Sequence, residues 1–276
     1  MGKRFYLCEK SSMDLQKQEV ESEQKFQCDQ KQWKVVEIEE AFPFVRKNQM
    51  VVSIVGAGGK TTLMEHLAKA CGNHKRKVLL TTTTHIWKPE KWPWYPTAQK
   101  AKEAFSQNDV VVLGKPCTCG KENSSQKLEY PGKEELCSCM ENADITFIEA
   151  DGARSMPCKA PGLHEPVIPE ESNAVVAVIG LGGLGKPVWE VCFRIPQVLQ
   201  LLQITDGNHC LTIEDYVTLL CSEKGAGKTV GQRDFYVFLN QCDTEELRED
   251  AKRIATGVRK QLGETVKDII ISGIEQ

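Results

Sequence analysis

The fold of this 276-residue chain is decided by the stretch Val55-Gly56-Ala57-Gly58-Gly59-Lys60-Thr61-Thr62-Leu63. An apolar run typical of a buried strand precedes it, and the residues after it carry apolar side chains at helical spacing. A strand, a glycine-rich turn and a helix that begins with Lys-Thr-Thr favour a phosphate-binding loop, because backbone N–H groups and the helix dipole attract an anion. In that arrangement we expect Lys60 to reach the terminal phosphates and Thr61 to supply a hydroxyl to Mg²⁺.

This loop is shorter than the standard G-x-x-x-x-G-K-[ST] pattern, because Ile54 stands where the first glycine belongs. What remains, Gly56-x-x-Gly59-Lys60-Thr61, is similar to the loop of Mur-type ligases. The alternative is a strand-to-helix turn that binds nothing, but the glycines, the lysine and the two threonines together favour nucleotide binding. The residues expected to contact ATP or GTP here are Gly56, Ala57, Gly58, Gly59, Lys60, Thr61 and Thr62.

Composition limits the classes of partner. The net charge is −3 and no block of lysine and arginine is concentrated anywhere, so neither nucleic acid nor an anionic membrane is indicated as a partner. No apolar run approaches the ~18 residues that a membrane-spanning helix needs. The N-terminus lacks the apolar segment of a secretion signal, so we expect the cytoplasm.

Apolar runs that alternate with helical patterns organise the rest of the chain. The predicted strands are 50–54, 78–80, 110–114, 145–148, 174–179, 235–239 and 268–271, and the predicted helices are 37–45, 97–105, 188–203, 213–220 and 245–262. This alternation predicts an α/β fold like that of P-loop NTPases, a mostly parallel, doubly wound sheet with flanking helices. Ligands of such sheets bind at the carboxyl ends of the strands.

We predict two parts of the chain. Residues 1–35 are a polar N-terminal extension, because residues 9–32 are rich in Gln, Glu, Lys and Ser and are expected to form a solvated helix or a mobile arm. Residues 36–276 are the P-loop nucleotide-binding α/β domain, with a cysteine-bearing insertion at about 115–142.

Two carboxylates follow the predicted strand 145–148. Glu149 and Asp151 are two residues apart, so on a strand they project to the same side. A carboxylate beside a phosphate loop completes Mg²⁺ coordination, and hydrolysis needs a group that orients water. We assign Asp151 and Thr61 to Mg²⁺ and Glu149 to the metal or the attacking water, so that Lys60, Glu149 and Asp151 are the candidate catalytic residues. The alternative is a solvated strand end with a turn at Gly152.

Two other strand ends carry polar residues. We expect Thr84 and His85 to contact phosphate or metal-bound water, with His85 as a hydrogen-bonding residue, although a run of threonines also suits a plain strand end. Asn240-Gln241-Cys242-Asp243 resembles the N-K-x-D element that recognises a guanine base. Asn240 and Asp243 are therefore candidates for base recognition, or Asp243 caps the following helix.

Two loops resemble phosphate-binding elements less closely. Gly225-Ala226-Gly227-Lys228-Thr229 lacks a preceding strand, so we predict a turn there. Arg154, Lys159 and His164-Glu165-Pro166 lie in a loop that we expect to close over the phosphates and neutralise their charge; the alternative is a structured connector.

The chain has twelve cysteines, most of which we expect to be reduced core thiols. Four form the doublets Cys117-x-Cys119 and Cys137-x-Cys139. Four thiolates can hold a tetrahedral Zn²⁺, although C-x-x-C is the usual spacing. A redox pair, reduced surface thiols and a site for a soft metal or selenium species are the alternatives.

Together these motifs resemble the YqeC family, accessory proteins associated with selenium-dependent molybdenum hydroxylases. The matching elements are Val55–Thr62, Thr81–Ile86, Glu149–Ala153, Lys159–Pro161, His164–Pro169 and Asn240–Asp243. The resemblance covers roughly residues 50 to 272 and implies a P-loop nucleotide-binding protein in the maturation of a selenium-containing molybdenum cofactor. The implied partners are a nucleotide, the molybdenum cofactor or a selenium donor, and an apo-hydroxylase. Neither the first 35 residues nor the cysteine-bearing insertion belongs to the family pattern.

Three functions are compatible with these features. The first is a Mg²⁺-dependent NTP hydrolase or nucleotide-dependent transferase that assists selenium insertion. The second is a nucleotide-gated chaperone that delivers cofactor or selenium without chemistry of its own. The third is an ATP-dependent ligase or kinase that acts on a small acid or on the cofactor.

Overall fold

The strand before the glycine-rich loop lies inside a ten-stranded sheet in the computed structural model, which describes residues 2–8, 33–117 and 126–274. The strands are β1 (Lys3–Cys8), β2 (Trp33–Val36), β3 (Met50–Gly56), β4 (Val78–Thr82), β5 (His85–Trp87), β6 (Trp94–Tyr95), β7 (Val110–Leu113), β8 (Lys115–Pro116), β9 (Lys127–Glu129), β10 (Ile145–Glu149), β11 (Cys158–Lys159), β12 (Ala174–Gly180), β13 (Cys192–Phe193), β14 (Asp234–Asn240) and β15 (Val266–Ile274). The α-helices are α1 (Ile38–Ala41), α2 (Lys60–Asn73), α3 (Ala98–Ala104), α4 (Lys133–Met140), α5 (Val188–Val191), α6 (Ile195–Leu202), α7 (Ile213–Cys221) and α8 (Glu245–Leu262).

The order of strands in the large sheet is β2-β1-β15-β14-β12-β3-β10-β4-β7-β6. Every pair from β15 to β6 is parallel, and β1 and β2 add an antiparallel edge. From β3 the sheet extends in both directions, through β10, β4, β7 and β6 on one side and through β12, β14 and β15 on the other. The prediction of a mostly parallel α/β sheet with flanking helices is confirmed.

Along the central strands, successive side chains pack alternately in the hydrophobic cores on the two faces of the sheet. Val52 and Ile54 of β3 pack in one buried cluster with Leu63 and Leu67 of α2. Val55, which points the opposite way because side chains alternate along a strand, lies in a second cluster with residues of α7 and α8. Within the described residues, no helix is both long and apolar enough to cross a membrane.

Most predicted elements are present, but the helix predicted over 188–203 is wrong. It is interrupted by β13, and α6 begins anew at Ile195. Arg194 has a left-handed backbone with φ 63°, which no helix interior accommodates, and Pro196 occupies the first turn of α6, where proline favours a helix start. The predicted helix 37–45 is likewise divided into α1 and a 3-10 turn that begins at Pro43.

The predicted boundary of the N-terminal extension is also wrong. Strand β1 pairs with β15, so that Phe5 lies opposite Ser272, and the Phe5 ring lies 6.2 Å from that of Phe238. Residues 3–8 therefore belong to the α/β domain, and the 35/36 boundary falls inside β2. The arm predicted for residues 9–32 lies outside the described residues.

The predicted insertion at about 115–142 contains two different elements. Strands β5, β9 and β8 form a separate three-stranded antiparallel sheet. Helix α4 belongs to the main domain, because Leu136 and Cys139 pack in a core cluster with Leu79 of β4. Residues 118–125, which include Cys119, lie outside the described part of the chain.

The loop after β3 depends on glycine. Gly56 has φ +94°, and a Cβ atom on it would lie 2.1 Å from the carbonyl oxygen of Val178 on β12. Gly58 has φ +81°, and its Cβ would lie 2.4 Å from the backbone nitrogen of Gly180. Only residues without a side chain let the loop pass this close to β12.

We expect Gly56→Ala to lower the free energy of unfolding by roughly 3 kcal/mol or more, from backbone strain together with the clash on Val178. Gly152→Ala is the matched control, since a Cβ at Gly152 meets nothing within 4 Å. Urea unfolding of both variants measures the difference. Equal stability of the two variants would contradict the described loop geometry.

Candidate functional site

The carboxyl ends of β3 and β10 bring the three candidate catalytic residues together. These strands are parallel neighbours, with Glu149 in register with Ile54. The Lys60 Nζ atom lies 3.2 Å from Oδ1 of Asp151 and 3.9 Å from Oε1 of Glu149. All three side chains are buried, which is uncommon for charged groups and requires that each find partners inside the protein.

Both carboxylate oxygens of Asp151 accept hydrogen bonds from the protein. The Gly56 N–H donates to Oδ1 at 3.1 Å and to Oδ2 at 3.0 Å, and Lys159 Nζ donates to Oδ2 at 2.8 Å. Together with Lys60, these donors fix the carboxylate against the start of the loop. Asp151 therefore positions the start of the loop.

Thr61 contacts the other carboxylate. Its hydroxyl donates to Oε2 of Glu149 at 2.8 Å. Burial raises the pKa of Glu149 above its ordinary value of 4.5, and the nearby Asp151 adds to the increase, although Lys60 and the Thr61 hydroxyl act in the opposite direction. Ionisation of Glu149 is costly in this buried site. A cation bound beside its carboxylate and the Thr61 hydroxyl would stabilise the ionised form.

The first amides of the loop are already bonded to the protein. The Ala57 N–H donates to the Val178 carbonyl at 2.8 Å and the Gly58 N–H donates to the Met156 carbonyl at 3.0 Å. Together with the bond from Gly56 to Asp151, these bonds occupy three backbone N–H groups that were expected to bind an anion.

Donors remain at the start of α2. The N–H groups of its first turn, Lys60, Thr61 and Thr62, have no acceptor within the helix, because an α-helix leaves its first amides unpaired. Among the described residues no side chain caps this end and the first turn contains no acidic residue. The anion-accepting part of the loop is therefore its helical end.

The side chains of Asn240 and Asp243 each hydrogen-bond to a backbone group. Asn240 is buried at the end of β14 and donates from Nδ2 to the Gly58 carbonyl at 2.6 Å. Asp243 accepts from the Ile274 N–H at 2.8 Å, and the cap of α8 is Thr244, so the prediction that Asp243 caps this helix is wrong. Recognition of a base by either residue stays a prediction.

The threonine run at the end of β4 is hydrogen-bonded within the protein. The Thr82 hydroxyl donates to the Glu149 carbonyl at 2.8 Å and accepts from the Thr84 N–H at 2.9 Å. The strand that carries Glu149 is thereby held from the side opposite β3. His85 lies further on, exposed at the start of β5, with Nε2 4.0 Å from Oε2 of Glu129.

The second glycine-rich motif, residues 225–229, forms turns after α7, as predicted. Lys228 Nζ donates to the carbonyls of Gly162 at 2.7 Å and of Leu163 at 2.9 Å. These two hydrogen bonds therefore hold the backbone of residues 162–163 in place.

A chain of ion pairs extends from Asp151 toward the surface. Lys159 Nζ lies 2.8 Å from both Asp151 and Glu165, and Arg194 contacts the two oxygens of Glu165 at 2.6 and 3.2 Å. Burial alone would raise the pKa of Glu165, but the hydrogen bonds and charges of Arg194 and Lys159 outweigh it and lower the pKa. Glu165 therefore contributes stability above pH 4.5 that is lost as the pH falls through its lowered pKa.

Sequence reasoning missed Arg194 because that residue was placed within a continuous helix. The signal that could have found it is Pro196, which marks a helix start and therefore a break just before it. Arg154, expected near the phosphates, lies instead over the ring of Phe193 at 5.1 Å.

The second cysteine doublet does not form a chelating pair. Cys137 and Cys139 are two positions apart on helix α4, where successive residues rotate by about 100°, so their side chains diverge. Cys139 is buried among apolar residues, which raises its pKa to about 12, whereas Cys137 donates to Glu171. Because Cys119 lies outside the described residues, the four-cysteine zinc site stays a prediction.

A lysine- and threonine-bearing loop between a central parallel strand and a helix places this chain among α/β proteins with a candidate anion site at the carboxyl edge of the sheet. A family model described as YqeC protein matches residues 52–196. A protein of Escherichia coli (strain K12), called uncharacterized protein YqeC, is 35% identical over 191 residues, which are 68% of this chain and 73% of that protein. The chain belongs to the YqeC family, and the resemblance noted from its motifs is confirmed.

We expect Lys159→Met to lower the free energy of unfolding by about 3–5 kcal/mol, because it leaves Asp151 and Glu165 buried without their shared cation. The control is Lys252→Met, which breaks the partly exposed pair of Lys252 and Glu249 and should cost no more than about 1 kcal/mol. Denaturant unfolding at pH 7 measures both. Similar losses in the two variants would contradict a buried network.

Unlike Lys159→Met, Glu149→Gln should raise the free energy of unfolding at pH 8. Because the folded protein raises the pKa of Glu149, its ionised form costs stability above the pKa of the folded state, and this cost vanishes below about 4.5. The difference in unfolding free energy between the variant and the wild type should therefore shrink from pH 8 to pH 4.5. A difference that is independent of pH would show that Glu149 ionises without penalty.

Proposed function

We propose that this protein binds a nucleoside triphosphate, ATP or GTP, with Mg²⁺ at the loop between β3 and α2, and that it hydrolyses or transfers the terminal phosphoryl group. The fold is then that of a P-loop NTPase. The observation that carries the proposal is the contact of Thr61 with Glu149 beside Lys60, at a helix end whose first turn has no acidic residue. The helix end offers amide donors, and Lys60 offers the positive charge.

The charge balance of the site explains why the proposal includes a cation. Three basic side chains, Lys60, Lys159 and Arg194, already face three acidic ones, Glu149, Asp151 and Glu165. A triphosphate would bring several negative charges into this balanced and largely buried group, and it needs a compensating cation.

Thr61 and Glu149 are the residues that we assign to Mg²⁺, in place of Thr61 and Asp151. A hydroxyl and a carboxylate oxygen are hard ligands of the kind Mg²⁺ takes, and Mg²⁺ normally keeps several waters as its other ligands. When bound, the ion supplies positive charge against phosphate oxygens. Asp151 keeps the loop in place through Gly56, and Lys60 exchanges its contact with Asp151 for phosphate.

A thermal-shift series with ATP, GTP, CTP and their diphosphates, with and without Mg²⁺, tests the proposal. At 100 times its dissociation constant the correct nucleotide adds about 2.7 kcal/mol of stability, a rise of roughly 5–10 °C for a chain of this size. The rise should require Mg²⁺ and should be lost in Lys60→Ala. Thr61→Ala, which removes a hydroxyl and keeps every buried charge, should lose the Mg²⁺ dependence.

Lys228→Ala is the matched control, since Lys228 follows a similar Gly-Ala-Gly sequence but fastens a loop. It should keep the full nucleotide response. Absence of any shift in the wild type, or an equal shift in Lys60→Ala, would refute nucleotide binding at this loop.

From family membership we further propose that the reaction assists maturation of a selenium-containing molybdenum cofactor in the cytoplasm, with an apo-hydroxylase as partner. The reaction product separates the alternatives. Release of phosphate, alone or with the partner, indicates an NTPase, and a phosphorylated or newly amidated acceptor indicates a kinase or ligase. Nucleotide-dependent delivery of cofactor or selenium without turnover indicates a chaperone.

A further inference from the structure

The small sheet β5-β9-β8 carries a second group of reactive side chains, separate from the buried ion pairs. His85 lies directly opposite Glu129 across the β5–β9 pair. Cys117 follows β8, and its N–H donates to the Lys127 carbonyl at 3.0 Å, which continues the pairing with β9. Because side chains opposite each other on neighbouring strands share a face, and because Lys127 and Glu129 are two apart, all three groups project from one face.

The three ligand atoms are close together. The ring nitrogen of His85, the sulfur of Cys117 and a carboxylate oxygen of Glu129 all lie within 4.8 Å of one another. In a tetrahedral zinc site, ligand atoms are roughly 3.3–3.8 Å apart, given metal distances of about 2.0–2.3 Å. Displacements of the three ligand atoms by about 1 Å, through small side-chain rotations, would therefore bring them to binding distance of one ion.

The backbone that carries this group is anchored from its other side. Ile86 and Leu128, one position away from His85 and Glu129, are buried on the opposite face in the core cluster that contains Val112 of β7. The group thus stands on a rigid support, with Cys117 6% exposed and the His85 side chain 52% exposed. The group therefore combines a buried thiol with an imidazole that solvent reaches.

We propose that His85, Cys117 and Glu129 bind one zinc ion. Imidazole nitrogen, thiolate sulfur and carboxylate oxygen are together the ligand types of Zn²⁺, whereas Mg²⁺ and Ca²⁺ avoid sulfur. Among the described residues three protein ligands converge and leave a fourth position open, which is the arrangement of zinc sites that take part in chemistry. The site does not involve Cys137 or Cys139, and it stands whether or not the glycine-rich loop binds a nucleotide.

Cobalt titration of the metal-free full-length protein tests this site. We expect one Co²⁺ per chain, with a thiolate-to-cobalt charge-transfer band in the near ultraviolet that one equivalent of Zn²⁺ abolishes. Cys117→Ser should remove the band. His85→Ala and Glu129→Gln, both at the surface, should each weaken zinc binding at least about tenfold.

Two variants serve as controls. His74→Ala removes an exposed histidine that lies 3.7 Å from Glu39, a comparable His–Glu pair in which the described residues supply no third ligand. Cys137→Ser removes the thiol of the other doublet that contacts Glu171. Both should keep the band and the affinity, and circular dichroism in chelator should show that every variant is folded.

Three results would overturn the proposal. The first is absence of stoichiometric binding by the wild type. The second is a charge-transfer band that persists in Cys117→Ser. The third is a loss of affinity in a control variant as large as that in His85→Ala.

Discussion

The candidate site depends on one buried carboxylate. Asp151 accepts the first N–H of the glycine-rich loop with both of its oxygens and lies between the ammonium groups of Lys60 and Lys159. A buried charge without partners is severely unfavourable, so these four groups must come together if any of them is to be buried. The end of β10, the loop after β3 and strand β11 are thereby joined into one unit before any ligand arrives.

Two carboxylates two residues apart have opposite roles in this unit. Asp151 is satisfied by a backbone amide and two lysines, and it acts as a structural anchor. Glu149 is also buried but has a hydroxyl and a more distant lysine as partners, and its pKa is raised. A buried carboxylate whose pKa is raised by its surroundings is common at functional sites. That contrast supports Glu149, more than Asp151, as the residue that meets a cation.

The sequence predicted the elements that depend on local pattern. The run 50–54, the glycines and the following helical spacing are contiguous, and so are the apolar strands on either side of the sheet. Strand β1 was missed because its stability comes from pairing with β15 at the other end of the chain, where Phe5 lies opposite Ser272. Such pairing leaves little trace in the six residues of the strand itself.

Within the site, the sequence indicated which residues converge but not which contacts they make. Glu149 and Asp151 were expected to share a side, and both do lie near Lys60. Their different partners follow from the path of residues 156–159, which no periodic pattern specifies. The second cysteine doublet shows the same limit, since residues two apart share a face on a strand and diverge on a helix, and Cys137 and Cys139 lie on a helix.

The bond from Asn240 to the carbonyl of Gly58 joins residues 182 positions apart. During synthesis from the N-terminus, the loop leaves the ribosome long before β14 exists to hold it, so its final shape is acquired late. A nascent chain that stops short of Asn240 therefore lacks the donor that holds the Gly58 carbonyl. The loop therefore reaches its final geometry only when nearly the whole domain has folded.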